Sequence, residues 1–374
     1  MRFIIKTACI LSVISTLFNS CNNDLKILAP YKEAVSVYGI LNPQESRQYI
    51  RINKIFLGEG NAYVMAKVSD SINYAAGLLT VTLERFVNGS QSPTTIGNTK
   101  TQIILKDTLI QTATGTFNTD QRVYFTDDKL FTSGDYKLTI KNNHTGNIFT
   151  SKTTIIDSIR PFFAPLDVPY YPVIYTGTNP PSDYVDYTVP PANSDRTITV
   201  NFFPCAGGAE FTGIIRFCYI DSLLGGVTVP HTVDYNCSNI TSDNLSIHPT
   251  FGTLYGTFRF TTVEFLSRIA SQISLTPDPF NLISRRVIKF DFLVTAVNQD
   301  FHDFLQISAP STSVAQDKPV YSNVTGGFGI FACRSRFWVK KSLANTFIDY
   351  MSSKKPICSL SFVNSAGGPS ATCN

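Results

Sequence analysis

The sequence predicts a mainly β protein: an N-terminal β-sandwich followed by a β-rich domain with two short helices. Three observations predict it. From about Val35 onward, short apolar runs alternate with polar residues at period two, the pattern of half-buried strands. Turn residues such as Asn88-Gly89 and Asn142-Asn143-His144-Thr145-Gly146 punctuate those runs. Between residues 158 and 191 a proline- and tyrosine-rich stretch interrupts the pattern, and 374 residues leave room for a core on either side of it.

Taken in order, residues 1–20 have the build of a secretory signal: Arg2 and Lys6, an uncharged apolar stretch from Ala8 to Phe18, then Asn19-Ser20. The apolar stretch is too short to span a bilayer. Cys21 stands at the cut, and Asn22-Asn23-Asp24 turns polar at once. The segment STLFNSCNND resembles the bacterial lipoprotein signal, in which that thiol is acylated; the plain alternative is an ordinary signal peptide with an incidental cysteine. The resemblance implies lipidation of Cys21 and attachment to the outer membrane, each buried methylene contributing about 0.8 kcal/mol. Residues 21–34 then form the tether, and Asp24 is similar to the short acidic tracts that send lipoproteins of Bacteroidota to the cell surface.

Residues 35–157 read as the sandwich. Its runs include AVSVYGIL, QYIRINKIF, LLTVTLERFV, TQIILKDTLI, RVYF and GDYKLTIKNN, with Tyr136, Leu138 and Ile140 alternating against Lys137, Thr139 and Lys141. The Gly134-Asp135-Tyr136 start and the turn at 142–146 resemble the late strands of an immunoglobulin-like fold. Another small antiparallel sandwich or barrel is the alternative.

Residues 158–191 are expected to be a linker or seam. Tyr170, Tyr171, Tyr175, Tyr184 and Tyr187 either form a stacking platform for a ligand or pack across the domain seam. Residues 192–374 open with RTITVNFFPC and FTGIIRFCYI, read as a hairpin turning at Gly207-Gly208. TTVEFLSRIASQI carries a capping box from Thr261 to Glu264 and an apolar face of Phe265, Leu266, Ile269 and Ile273. NQDFHDFLQI is the shorter helix, with Phe301, Phe304 and Leu305 expected to face the core and His302 the solvent. Strands return in KPVYSNVTGGFGIFACRSRFWVKK.

Six cysteines follow Cys21: Cys205, Cys218, Cys237, Cys333, Cys358 and Cys373. An even set in an exported chain marks all six as disulfide candidates, and no CxxC spacing suggests zinc. Closing a loop between Cys358 and Cys373 would contribute roughly 3 kcal/mol. Lysine plus arginine number 31 against 27 acidic residues, without a long like-charge block, which argues against a nucleic-acid binder.

Gly326-Gly327-Phe328-Gly329 lacks the helix that a phosphate loop requires, and reads as a bend that lets two backbones approach. The four histidines are scattered and fit no metal or catalytic motif, so no metal, cofactor or catalytic residue is expected. Arg334, Arg336, Lys340 and Lys341 interleave with Phe337 and Trp338, as on an edge strand whose charges block pairing, or on a surface that meets an anionic partner. Four Asp-Ser/Thr-aliphatic triplets place Ser71, Thr108, Ser158 and Ser222 in a pattern that resembles the O-glycosylation sequon of exported Bacteroidota proteins.

VYGILNPQESRQYIRINKIFLG, GIIRFCYID, RRVIKFDFLVTAVNQDFHDFL and PVYSNVTGGFGIFACRSR, in this order and spacing, resemble a large Bacteroidota family of outer-membrane surface lipoproteins with a domain of unknown function. Its most recognisable element is Asn323-x-x-Gly326-Gly327-x-Gly329-x-Phe331. The resemblance implies a non-enzymatic surface binding or accessory protein, partnering a TonB-dependent outer-membrane transporter in nutrient capture. A surface hydrolase of glycans or peptides and a structural scaffold of an envelope complex are the alternatives.

Overall fold

The computed structural model describes residues 33–373 except 56–63, 65–66, 88–89, 91–92, 96–99, 112–119, 163–172, 175–183, 187–196, 248–251, 310–319, 344 and 370–372. It is mainly β, with several sheets and few helices. The leader, Cys21 and most of the tether lie outside the described residues.

In the first part of the chain the strands are β1 (Val35–Leu41), β2 (Gln48–Lys54), β3 (Leu79–Phe86), β4 (Gln102–Ile104), β5 (Lys106–Ile110), β6 (Gln121–Thr126), β7 (Asp135–Asn142) and β8 (Ile148–Thr154), with a short helix α1 (Ser69–Ile72) after β2. Strands β1-β2-β6-β5 are neighbours in one sheet and β8-β7-β3-β4 in another. The alternation read from the sequence holds: Tyr136, Leu138 and Ile140 are buried in one core with Val35, Val37, Ile50 and Ile52 from the facing strands. Tyr136 accepts a hydrogen bond on its hydroxyl from the Phe131 N–H, 2.9 Å away, which ties the start of β7 to the preceding corner.

The chain enters this part at Glu33, whose carboxylate is held by four donors. Asn142 Nδ2 lies at 2.5 Å, Asn147 Nδ2 at 2.6 Å, the Thr145 hydroxyl at 2.8 Å and the Tyr74 hydroxyl at 3.3 Å. Burial raises the Glu33 pKa, but these hydrogen bonds outweigh it and hold the carboxyl below its usual range.

Short strands β9 (Arg160–Phe162), β10 (Val173–Ile174) and β11 (Tyr184–Asp186) precede β12 (Thr197–Phe203), β13 (Glu210–Leu223), β14 (Thr228–Asn236), β15 (Ile240–Thr241), β16 (Ser246–Ile247) and β17 (Leu254–Thr261). Helix α2 (Thr262–Ser274), β18 (Leu282–Val297), α3 (Gln299–Ser308), β19 (Val324–Thr325), β20 (Phe328–Leu343) and α4 (Asn345–Ser353) complete the fold. The sequence reading had no counterpart for α4.

The two expected domains share a sheet. Its order is β14-β13-β18-β20-β1-β2-β6-β5, so strands from residues 192–374 and 35–157 are hydrogen-bonded side by side. The joint is the parallel pair β1–β20, in which Val37 faces Gly329 and Leu41 faces Cys333. Glycine is required there: a Cβ on Gly329 would lie 2.0 Å from the Val37 carbonyl oxygen, and its φ is +107°. The Asn323 side chain braces the bend by accepting from the Phe331 N–H at 2.9 Å and donating to its carbonyl at 2.8 Å. Asn323 and Gly329 of the Asn-x-x-Gly-Gly-x-Gly-x-Phe element are thus accounted for by the joint. Buried Asn298 adds a second tie: it donates to the Thr153 hydroxyl at 2.7 Å and accepts from the Cys333 N–H at 3.2 Å.

Helix α2 follows expectation. The Thr261 hydroxyl accepts from the Glu264 N–H at 3.1 Å, and Phe265, Leu266, Ile269 and Ile273 are buried. Phe265 packs on Phe290 at 5.4 Å between ring centres, within an aromatic core that includes Phe217 and Phe347.

Three expectations are corrected. The segments around Gly207-Gly208 form no hairpin: β12 pairs β9 and β17 in a separate sheet ordered β16-β17-β12-β9, whereas β13 pairs β14, β15 and β18. Phe202 and Phe211 meet at 5.0 Å between ring centres, so the turn carries the chain from one layer to another. Phe301, Phe304 and Leu305 are not buried core residues, and Leu305 is 39% exposed. Of the six cysteines, Cys358 and Cys373 are joined with Cα atoms 5.6 Å apart; Cys205, Cys218, Cys237 and Cys333 are free thiols. Cys205, Cys218 and Cys333 are instead core residues, where a free cysteine packs as a small hydrophobe.

Candidate functional site

Strand β20 changes character along its length. Residues 328–333 are flanked by β1, while 334–341 pair with β18 on one side only. On the other side the Arg336 N–H donates to the Gln44 side-chain oxygen at 2.9 Å, and β11 resumes the pairing at Ser342. Among the described residues no strand fills the interval, so the edge reading applies to this half alone. Strand alternation directs the backbone N–H groups of Trp338 and Lys340 toward the same opening as that of Arg336, and places Arg334, Arg336, Trp338 and Lys340 on one face.

Neighbouring strands complete that face. Register puts Ile214 of β13, Leu293 of β18 and Trp338 in one cross-strand row, with Asp234, Arg216, Asp291 and Lys340 in the next. Ile214, Arg216, Asp291, Leu293 and Trp338 line a depression of about 20 Å³. That admits a water-sized group and encloses nothing larger, so a ligand here would lie on the surface. Trp338 is 54% exposed.

Most charges on this face are already paired. Arg216 donates twice to Asp234, at 2.7 and 2.9 Å, and its guanidinium carbon stands 5.7 Å from the Trp338 ring centre. The bond to Asp234 raises the Arg216 pKa. Buried Asp291 receives Lys289 Nζ at 2.6 and 2.8 Å. Burial, then the Asp291 charge, pushes the neighbouring Cys218 thiol up. Arg334 reaches Glu45 at 3.7 Å. Arg336 and Lys340 are exposed and make no ion pair among the described residues. Partial desolvation of the otherwise exposed guanidinium and the like charge of Arg334 lower the Arg336 pKa, and the Glu45 carboxylate offsets part of that.

Other charged clusters work inside the fold. Arg285 and Asp221, both 3% exposed in their side chains, pair at 3.1 Å; Arg285 also bonds Asp278 at 2.7 Å and the Leu360 carbonyl at 3.1 Å. His231 lies 3.2 Å from Asp221 and stacks on Tyr219. His302 is not left to solvent: its Nδ1 is 2.6 Å from Glu210, a buried carboxylate that also accepts from Asn239 Nδ2 at 2.5 Å. Among the described residues no hydroxyl is hydrogen-bonded to either imidazole, and no group of three or more His, Cys, Asp or Glu could hold a metal ion.

The remaining expected residues disperse. Tyr170, Tyr171, Tyr175 and Tyr187 lie outside the described residues, and Tyr184 begins β11. Ser71 is in α1, Thr108 in β5 and Ser158 between β8 and β9. Ser222 lies near the end of β13, paired with Thr228 on one side and Ser284 on the other. Sequence reading singled out the basic-aromatic pattern of β20 but missed Ile214, Arg216, Asp234, Asp291 and Leu293. A lone arginine in FTGIIRFCYI and a lone aspartate in VIKFDFLVT, each inside an apolar strand, were the available signals.

No protein-family model matches the chain, and no curated protein matches it either. Among solved structures it is similar to the C-terminal globular domain of an oligosaccharyltransferase from Pyrococcus abyssi, at 10% identity and a TM-score of 0.20. The match covers 68% of this chain and 46% of that one, and at such a score it carries no argument about fold or function. Among the described residues no helix is long and apolar enough to cross a membrane.

Proposed function

We propose that this protein is a lipid-anchored binding or accessory protein of the outer-membrane surface, held by Cys21 and recognising its ligand on the open face of β20. One observation carries the binding reading: Trp338 lies half exposed beside a shallow depression, with fixed charges on the neighbouring strands. A flat aromatic surrounded by held polar groups suits recognition in a surface groove. Residues 35–157 serve as an immunoglobulin-like module; the strand orders β1-β2-β6-β5 and β8-β7-β3-β4 and the Tyr136 corner bond support that reading. The partner in the membrane is a TonB-dependent transporter, a reading that rests on the sequence resemblance.

Trp338 is the only tryptophan of the chain, so its emission reports this face alone. Titration of the full chain with oligosaccharides and peptides is expected to shift that emission saturably for one class; a flat response to every class removes the binding reading. For the placement, Cys21→Ser is expected to release the protein from the membrane fraction, and unchanged fractionation overturns the anchor. Recovery of a transporter with the intact protein in mild detergent supports the partnership; recovery of the protein alone counts against it.

A further inference from the structure

We infer that the open face of β20 takes an anionic saccharide, one bearing carboxylate, sulfate or phosphate groups. The inference rests on the binding reading above and names the chemistry of its ligand. The first ground is charge. The two acidic groups of the central row are engaged, Asp234 by Arg216 and Asp291 by Lys289, so neither is free to neutralise the strand beside them. Arg336 and Lys340 project from the same face without a carboxylate partner among the described residues, and Arg334 has only Glu45 at 3.7 Å. Two guanidiniums, Arg334 and Arg336, crowd this face with the single carboxylate of Glu45 between them, 3.7 Å from Arg334, so the cluster keeps an excess of positive charge that an anion would relieve.

The second ground is shape. Trp338 stands between Arg336 and Lys340 in the alternation of the strand, so a ring lying on the indole has a cation on either side within the span of about two residue steps, roughly 7 Å each way. That matches a sugar ring stacked on an aromatic, with an acidic substituent directed to the arginine or the lysine. The third ground is the gap in the sheet, where alternation leaves the Trp338 and Lys340 N–H groups beside the same cations without a partner strand among the described residues. Neutral sugars would use the indole alone.

The test follows Trp338 emission as the full chain is titrated with short oligogalacturonates and with the same oligosaccharides after methyl esterification. The acid form is expected to bind at least about tenfold more tightly, with the advantage shrinking as salt rises. Arg336→Gln and Lys340→Gln are each expected to weaken the acid form several-fold and leave the ester unchanged. Trp338→Phe, followed by calorimetry, is expected to retain part of the binding, and Trp338→Ala to lose it for both forms. Equal affinity for acid and ester overturns the anionic inference and leaves a saccharide-binding face. Absence of binding to either form, and to sulfated and phosphorylated sugars, overturns the inference itself. Vesicles containing anionic phospholipid provide the remaining arm. Capture of the protein on them that Arg336→Gln abolishes and oligogalacturonate does not compete for would assign the face to a lipid surface and overturn the saccharide.

Discussion

The two halves of β20 are one continuous strand with opposite tasks. Residues 328–333 sit tight against β1, with Ile330, Phe331, Ala332 and Cys333 fully buried and a glycine where the Val37 carbonyl leaves no room for a side chain. Among the described residues, 334–341 have a partner strand on one side only, and they carry cations and an indole into solvent. A strand can thus hold the core of two parts of the chain together and still offer a surface, provided its neighbour on one side stops early. Here β1 ends at Leu41 opposite Cys333, and the open edge begins with the next residue.

Substitutions that probe this contrast should differ widely in cost. Gly329→Ala is expected to cost more than about 3 kcal/mol, because the new methyl collides with backbone at a φ that L-residues avoid; a denaturation midpoint near wild type would show the joint to be dispensable. Next is thiol chemistry on the buried half. Burial pushes Cys333 and Cys205 up to about 12, as it does Cys237. From an ordinary value of 9.0 that leaves about a thousandfold fewer thiolates. In native protein these thiols should therefore resist iodoacetamide, while unfolded, unreduced protein should carry four alkyl groups on Cys205, Cys218, Cys237 and Cys333 by peptide mass, counted apart from Cys9 and Cys21; uptake at none of the four would mean bridges where free thiols stand.

Asn323→Ala strips the Phe331 backbone of two partners and is expected to cost about 1–3 kcal/mol in chemical denaturation, with a loss below half a kcal/mol counting against the brace. A smaller effect belongs to Glu33. Its folded pKa is lowered, so its contribution is complete above the unfolded value of 4.5 and is lost as pH falls through the lower folded value. Glu33→Gln should remove that acid-side loss, and an unchanged stability profile below pH 4.5 would refute it. With solvent screening the amount is on the order of 1 kcal/mol or less. Trp338→Ala on the open half should leave stability within about 0.5 kcal/mol while removing ligand binding; a large drop in melting temperature would make the indole a core residue.

What was legible in the sequence was local. Helix α2 could be read with its cap and buried face because Thr261, Glu264 and the apolar positions lie within four turns of chain. The glycine bend was legible for the same reason. The Gly207-Gly208 hairpin was misread because two alternating strands flanking a turn look alike whether they pair or part; Phe202 meeting Phe211 across layers is a tertiary fact. For α3, apolar spacing predicted burial that its position does not provide, and His302 finds Glu210 from 92 residues away. Half of the candidate site was visible as the alternation in β20. The other half, Arg216 with Asp234 and Asp291 with Lys289, depended on register across three strands that spacing cannot supply.

The four-donor grip on Glu33 has a mechanical meaning if the preceding residues lead to a membrane. Tension along that leash would meet the fold at a carboxylate fastened to the hairpin tip at 142–147 and to Tyr74, before any ladder of β1 is loaded. The body would then hang from one corner of its first sandwich, and drag on a captured ligand would be borne by that knot instead of peeling the first strand away.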